Sequence, residues 1–253
     1  MERVVLITGG SRGIGLAAAQ RFAAAGDWVV IVARGEAALS AAIADVGYPE
    51  RARGVRADVS LVSGCEAAVA AAIDEFGRLD VVFTNAGGYP CAPLGSVTEE
   101  LWDQTIDTHL KGTFFTVQAA VPYLRSSSGC VITMASDAGV LGMRGGWAAY
   151  CAAMGGVLNL TRQLALDLAP DVRVNAVAPG PVSTQTLLAD LSGGTYGGFE
   201  ASADAAAAVA GTLPLRRLAE PGEIARAVEF LADAPSMTGA VLSMDGGSTI
   251  ALP

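Results

Sequence analysis

Histidine is nearly absent from this chain, with one residue in 253, and cysteine is scarce, with four. Those four, Cys65, Cys91, Cys130 and Cys151, lie far apart and include no Cys-x-x-Cys pair. A structural zinc site needs such ligands at close spacing, so no metal site is expected. The spacing suits free thiols in a reducing compartment. Charge is low as well, at 16% of residues, and it is unbalanced. Sixteen Lys and Arg against 25 Asp and Glu leave a net charge of −9. A chain this acidic is a poor partner for phosphate backbones and anionic lipid, so neither nucleic acid nor membrane is expected as a partner. The longest uncharged stretch, residues 145–161, is interrupted by Gly145, Gly146, Tyr150, Gly155, Gly156 and Asn159. A buried helix accommodates that pattern better than a membrane span does. Residues 1–8 run straight into a glycine loop and are too short for a secretory signal, so a cytoplasmic location is expected.

What the chain has in quantity is apolar side chain, at 52%, and glycine, at 31 residues. That is enough for one large core. Short β-branched runs at residues 3–8, 28–33, 54–57, 79–85, 130–135, 173–178 and 240–244 read as strands. Most are apolar without alternation, as parallel strands covered on both faces should be. Alanine-rich stretches at 13–25, 36–46, 64–76, 98–124, 147–168 and 221–232 read as helices between them. The order is βαβαβ twice over. It predicts a single α/β domain over residues 1–253, a doubly wound parallel sheet of about seven strands with helices on both faces. Residues 183–217 break the rhythm with Gly193, Gly194, Gly197, Gly198 and Gly211. An insertion of this length predicts a mobile substrate-binding lobe.

The first strand runs into Thr8-Gly9-Gly10-Ser11-Arg12-Gly13-Ile14-Gly15 and at once into a helix. Glycine permits the tight turn and lets backbone amides approach a pyrophosphate at the positive helix N-terminus. At the first βα junction of a doubly wound sheet, this is a dinucleotide signal. An acidic residue ending the second strand would bond a ribose 2′-hydroxyl. Here that strand ends Val32-Ala33-Arg34, and Arg12 adds a second guanidinium suited to a phosphate.

The Thr-Gly-x-x-x-Gly-x-Gly pattern resembles the fingerprint of the short-chain dehydrogenase/reductase family. Further matches follow in family order: Asp58-Val59, Asn85-Ala86-Gly87, Ser136, Tyr150, Pro179-Gly180 and Asp245-Gly246-Gly247. The resemblance spans essentially the whole chain and implies a Rossmann fold and an NADP(H) cofactor, which the Arg12 and Arg34 pair marks in that family. It implies cofactor contacts from Gly9, Ser11, Arg12, Gly13, Ile14, Gly15 and Arg34. Asp58 would bond the adenine amine and Val59 would pack on its ring. Asn85, Ala86 and Gly87 would line the crevice, and Pro179, Gly180, Val182 and Thr184 would fix the nicotinamide end. It also implies a homodimer or homotetramer built through the helices at 98–124 and 147–168.

By the same resemblance, Ser136 and Tyr150 would hold the substrate oxygen while tyrosine moves a proton and the nicotinamide moves a hydride. Two family positions are altered. The lysine expected one helical turn after the tyrosine is Met154, preceded by Ala153, and the asparagine expected in Asn-x-x-Gly is His109 of His109-Leu110-Lys111-Gly112. Catalytic roles are therefore expected for Ser136, Tyr150, His109 and Met154, with His109 either supplying the missing proton relay or merely filling space. Lys111 reads as a solvated charge. An unassisted tyrosine titrates near ~10, so about one in a thousand is ionised at pH 7. Losing the cation therefore harms alcohol oxidation more than carbonyl reduction. The substrate wall is expected to include Tyr89, Val140, Trp147 and Leu187. Pro90, Cys91, Leu141, Met143, Leu188, Leu191 and Phe199 stand beside them. This wall suits an apolar carbonyl or alcohol, aromatic or polyketide-like. The leading expectation is an NADP(H)-dependent carbonyl reductase. A dinucleotide-binding protein without turnover and a non-redox catalyst of dehydration, enolisation or cyclisation stay open beside it.

Overall fold

The computed structural model describes residues 2–198, 200–202 and 204–251, so Phe199 of the expected substrate wall lies outside the described residues. The chain runs through β1 (Val4–Thr8), α1 (Gly13–Ala24), β2 (Trp28–Ala33), α2 (Glu36–Asp45), β3 (Ala52–Arg56), α3 (Val62–Phe76) and β4 (Val81–Thr84). It continues with α4 (Glu99–Ile106), α5 (Gly112–Ser127), β5 (Cys130–Met134), α6 (Ala148–Leu168) and β6 (Arg173–Pro179). The last elements are α7 (Gln185–Gly193), α8 (Ala205–Thr212), α9 (Pro221–Ala232) and β7 (Val241–Met244). The described residues form one seven-stranded sheet in the order β3-β2-β1-β4-β5-β6-β7, with every neighbouring pair parallel. This is the doubly wound fold that the alternation of elements predicts.

The strands are apolar throughout because both faces are covered. Val5 and Ile7 of β1 point to one side, where they pack with Phe22 of α1, Leu39 of α2 and Ile224, Val228 and Leu231 of α9. Val4 and Leu6 point to the other, against Ala68 and Val69 of α3, Val117 and Leu124 of α5 and Leu164 of α6. Strand order reverses beside β1, since β2 and β3 lie on one side of it and β4 on the other. Crevices open at the carboxyl ends of the strands at such a reversal, and this positions the site.

One expectation is corrected. The helix expected to run unbroken over 98–124 is instead α4 and α5 joined through a π-helical turn, Asp107–Lys111, which contains His109. The extra residue of a π turn cannot be read from the apolar pattern, and it re-aims the side chains that it carries. The insertion at 183–217 folds into α7 and α8 around a cluster of Leu187, Leu191, Tyr196, Ala205 and Val209 with Trp147. No helix among the described residues is long and apolar enough to cross a membrane.

Candidate active site

The glycine loop is shaped by close approach as much as by its turns. Gly9 and Gly13 have φ of +65° and +54°, a region that disfavours side chains. A Cβ on Gly15 would lie 2.5 Å from the Gly9 carbonyl oxygen and 2.6 Å from Asn85 Nδ2, so helix α1 starts hard against the loop. Asn85 ties the β4 turn to that loop. Its Nδ2 donates to the carbonyls of Thr8 and Gly9 at 3.0 Å each, and Thr8 Oγ1 accepts the backbone amides of Asn85 and Ala86. Arg12, at the N-cap of α1, gives no side-chain cap, which leaves the first-turn amides available to an anion.

This loop opens onto a cleft of about 1320 Å³. Gly9, Ser11, Arg12, Gly13, Ile14 and Arg34 line one end of it, with Asp58 and Val59 beside them. Asn85, Ala86 and Gly87 line its middle. Pro179, Gly180, Val182 and Thr184 lie further along, where Thr184 caps α7 and its Cγ2 would sit 3.2 Å from a Cβ on Gly13. Gly15 does not line the cleft; it backs the loop instead. Neither Arg12 nor Arg34 makes an ion pair among the described residues. Arg34 also borders a smaller hollow lined by Glu99, Glu100 and Asp103. A glycine cradle, exposed helix amides and two unpaired guanidinium groups together fit a phosphorylated dinucleotide.

At the far end stand Ser136, Tyr150 and His109. Ser136 ends the turn after β5, and Tyr150 lies in the first turn of α6. Burial pushes the Tyr150 phenol up to about 12; Ser136 eases that rise and the Asp137 carboxylate adds to it. His109 packs edge-on against Tyr150, and its Nε2 bonds the Gly88 carbonyl at 2.5 Å. Burial holds its pKa below the ordinary histidine value. The ring fills the space over Gly87, where a Cβ would fall 1.9 Å from His109 Cε1. Met154 does not face the cleft with these groups. It is 1% exposed and packs with Ala153, Val157, Ile106 and Leu110 under the Tyr150 ring. No lysine replaces the cation, because Lys111 is the chain's sole lysine and it pairs with Asp107 at 3.0 Å.

The residues expected in the substrate wall divide between the cleft and its surroundings. Tyr89, Pro90, Cys91, Met143, Trp147 and Leu187 line the cleft. Val140, 61% exposed, lies outside it, as do Leu141 and Leu188, and Leu191 is buried within the lobe. The 3-10 turn Asp137–Gly139 after Ser136 turns Val140 outward, a local geometry that spacing alone does not reveal. Tyr89, Trp147, Tyr150 and Tyr196 form one aromatic cluster with ring centroids 5.0–6.3 Å apart. The Tyr89 hydroxyl and Trp147 Nε1 have no hydrogen-bond partner among the described residues. Tyr196 and Asp137 line the site although the sequence reading passes over both. Adjacency to Ser136 could have drawn attention to Asp137. Nothing in the glycine-rich insertion marks Tyr196.

Comparison with known proteins agrees with this geometry. A family model described as short chain dehydrogenase matches residues 3–191. Trans-4-hydroxycyclohexanecarboxylate dehydrogenase of Sinomonas cyclohexanicum is 39% identical over 259 residues, covering 98% of this chain and 93% of that protein. A putative ketoacyl reductase of the granaticin polyketide synthase of Streptomyces violaceoruber is 40% identical, covering 97% and 95%. A crystal structure of an actinorhodin polyketide ketoreductase variant with NADPH superposes with a TM-score of 0.92 at 30% identity, over 98% of this chain and 97% of that one.

Proposed function

Because the chain belongs to the short-chain dehydrogenase/reductase family, we propose that it is an NADP(H)-dependent oxidoreductase that reduces a carbonyl of an apolar small molecule. The observation that carries the direction is the Tyr150 phenol, pushed up to about 12 chiefly by burial, with methionine where the family has a cation. Such a tyrosine stays protonated at neutral pH. It can give a proton to a developing alkoxide, but it is a poor base toward an alcohol.

The cofactor would be held by the Gly9–Gly15 loop, with Arg12 and Arg34 taking the 2′-phosphate and Asp58 and Val59 the adenine. When bound it supplies the hydride. The chain's own part is to orient the carbonyl between Ser136 and Tyr150, protonate its oxygen, and exclude water with Tyr89, Trp147 and Leu187. A polyketide-like or cyclic ketone suits that wall, and relatives named as polyketide ketoreductases and as a hydroxycyclohexanecarboxylate dehydrogenase support this class. Assembly into a homodimer or homotetramer belongs to the proposal too, since Trp102 of α4, Phe114 and Tyr123 of α5, and Leu166 of α6 leave large apolar side chains in solvent.

Incubation with NADPH and a panel of cyclic and polyketide-like ketones tests the reading. One NADPH consumed per alcohol formed supports it. Product without cofactor change favours a non-redox catalyst, and tight NADPH binding without any product favours a binding protein.

A further inference from the structure

Asp137 is a buried carboxylate, 6% exposed, that the reaction outlined above does not use. It lines the cleft directly beside Ser136. Ser136 Oγ donates to its Oδ1 at 2.9 Å, and Ser248 Oγ donates to its Oδ2 at 2.7 Å. Ser136 also interacts with the Tyr150 phenol. Ser248 is partly exposed and sits in the turn that Asp245 organises through the amides of Gly247 and Thr249. Space for the carboxylate is reserved as well, since a Cβ on Gly180 would come within 3.2 Å of Asp137 Oδ2. Asp137 thus connects Ser136, the neighbour that eases the Tyr150 phenol, to a partly exposed hydroxyl at Ser248.

His109 is poorly placed for the same task. A proton on its Nε2 is committed to the Gly88 carbonyl, and burial keeps the ring neutral. Met154 offers no proton at all. We propose that Asp137 is the terminal proton donor and acceptor of this site, connected to Tyr150 through Ser136 and to solvent through Ser248. The inference rests on the reductase reading for the direction of transfer.

The steps balance. The substrate carbon takes the hydride of the reduced dinucleotide, and the C=O bond becomes a C–O single bond whose oxygen takes the phenolic proton of Tyr150. The Tyr150 oxygen takes the hydroxyl proton of Ser136. This requires Asp137 protonated and the Ser136 hydroxyl turned from Oδ1 toward Tyr150; Ser136 Oγ then takes the carboxyl proton of Asp137, which leaves the carboxylate that accepts from both serines, and water returns that proton along Ser248. Oxidation is the same sequence reversed and starts from the carboxylate. Reduction therefore falls, and oxidation rises, as Asp137 ionises. Among the described residues, Asp245, Tyr150 and Cys151 of α6, and Tyr196 of the lobe act electrostatically with Asp137, and each of these is an acid rather than a cation. Burial accordingly favours its protonated form, while the bonds from Ser136 and Ser248 favour the carboxylate.

The test uses three variants of the intact protein. Asp137→Asn keeps the shape and both hydroxyl partners but cannot pass a proton on, so its reduction kcat should fall by ~10²-fold or more with KM little changed. Asp137→Ala should regain rate in proportion to added formate or acetate, which a structural role would not produce. Ser248→Ala removes a bond to the carboxylate form, so the falling limb of the reduction pH profile should move to higher pH. The Asp137 carboxyl band in infrared spectra of the cofactor-free protein should move with it. Unchanged kcat in Asp137→Asn, or a carboxyl midpoint at the ordinary ~3.9, would overturn the relay. Should Asp137→Ala fail to fold, the Ser248→Ala limb shift decides alone. Absence of any ketone reduction in the unmutated protein would instead remove the reductase reading, and the infrared midpoint would still judge Asp137.

Discussion

The His109 imidazole stands edge-on to the Tyr150 phenol, with ring centroids 5.4 Å apart and planes inclined by 77°. The contact brings the chain's single histidine to Tyr150, as a rewired relay would require. Its hydrogen bonding suggests a different use. With Nε2 on the Gly88 carbonyl, the ring fastens the turn after β4 to the π-helical turn between α4 and α5.

His109→Ala should therefore cost stability through the lost Gly88 bond and the vacated space, by ~1–3 kcal/mol. Activity should fall no further than displacement of the turn explains. The half-buried ring has a lowered pKa, so its contribution is fully present above the unfolded value near ~6.5 and is lost as pH falls through the folded value. Melting temperatures of the unmutated protein should drop below that pH, and His109→Ala should lack this part of the decline. A loss of turnover of 10²-fold or more at unchanged melting temperature would restore the histidine as a proton carrier.

Gly87 and His109 should be energetically coupled. A Cβ at position 87 would overlap the imidazole, so Gly87→Ala must displace the ring or the turn. A double-mutant cycle of Gly87→Ala and His109→Ala, read by denaturant unfolding, should show that the second change relieves much of the first. Strict additivity would mean that the ring is not what excludes a side chain at Gly87.

Cofactor preference follows from the unpaired cations at the loop. Arg34→Ala should weaken NADPH binding by ~1.5–3 kcal/mol and leave NADH binding nearly unchanged, as measured by calorimetry. The acidic side chains of the neighbouring hollow, Glu99, Glu100 and Asp103, temper the Arg34 field, so Arg12→Ala should have an effect of similar size. Equal affinities for the two cofactors in the unmutated protein would contradict this assignment.

Met154→Lys would place a cation beneath the Tyr150 ring, in a cluster of Ala153, Val157 and Leu110. The phenol midpoint should fall and alcohol oxidation should accelerate, because a nearby cation favours the phenolate. Thermal stability should fall as well, since that cluster provides no counter-charge. Oxidation kinetics and melting curves on one preparation would show both effects or refute the pairing.

Much of this was legible before the structure. Apolar strands and alanine-rich helices in strict alternation define a doubly wound sheet, and glycines at the first βα junction mark its crevice. What remained hidden depends on local geometry that no periodicity records. The π-helical turn at Asp107–Lys111 adds no apolar signature, yet it brings His109 to the Asn85-Ala86-Gly87 turn. Val140 has the composition of a pocket residue, and a 3-10 turn faces it outward. Met154 occupies a position defined by its distance from Tyr150, but an apolar side chain there joins the core beneath the ring rather than the cleft. Asp137 is one carboxylate among 25 acidic residues, and apart from its place next to Ser136 only its burial sets it off from the rest.

The central claim is that Tyr150 remains a neutral acid in this site. Ultraviolet titration of the cofactor-free protein, taken as the difference between the unmutated chain and Tyr150→Phe, measures its ionisation directly. The account predicts a midpoint of about 12, well above that of a free tyrosine. A midpoint at or below ~9 would show a phenolate-stabilising group at work and would contradict the account.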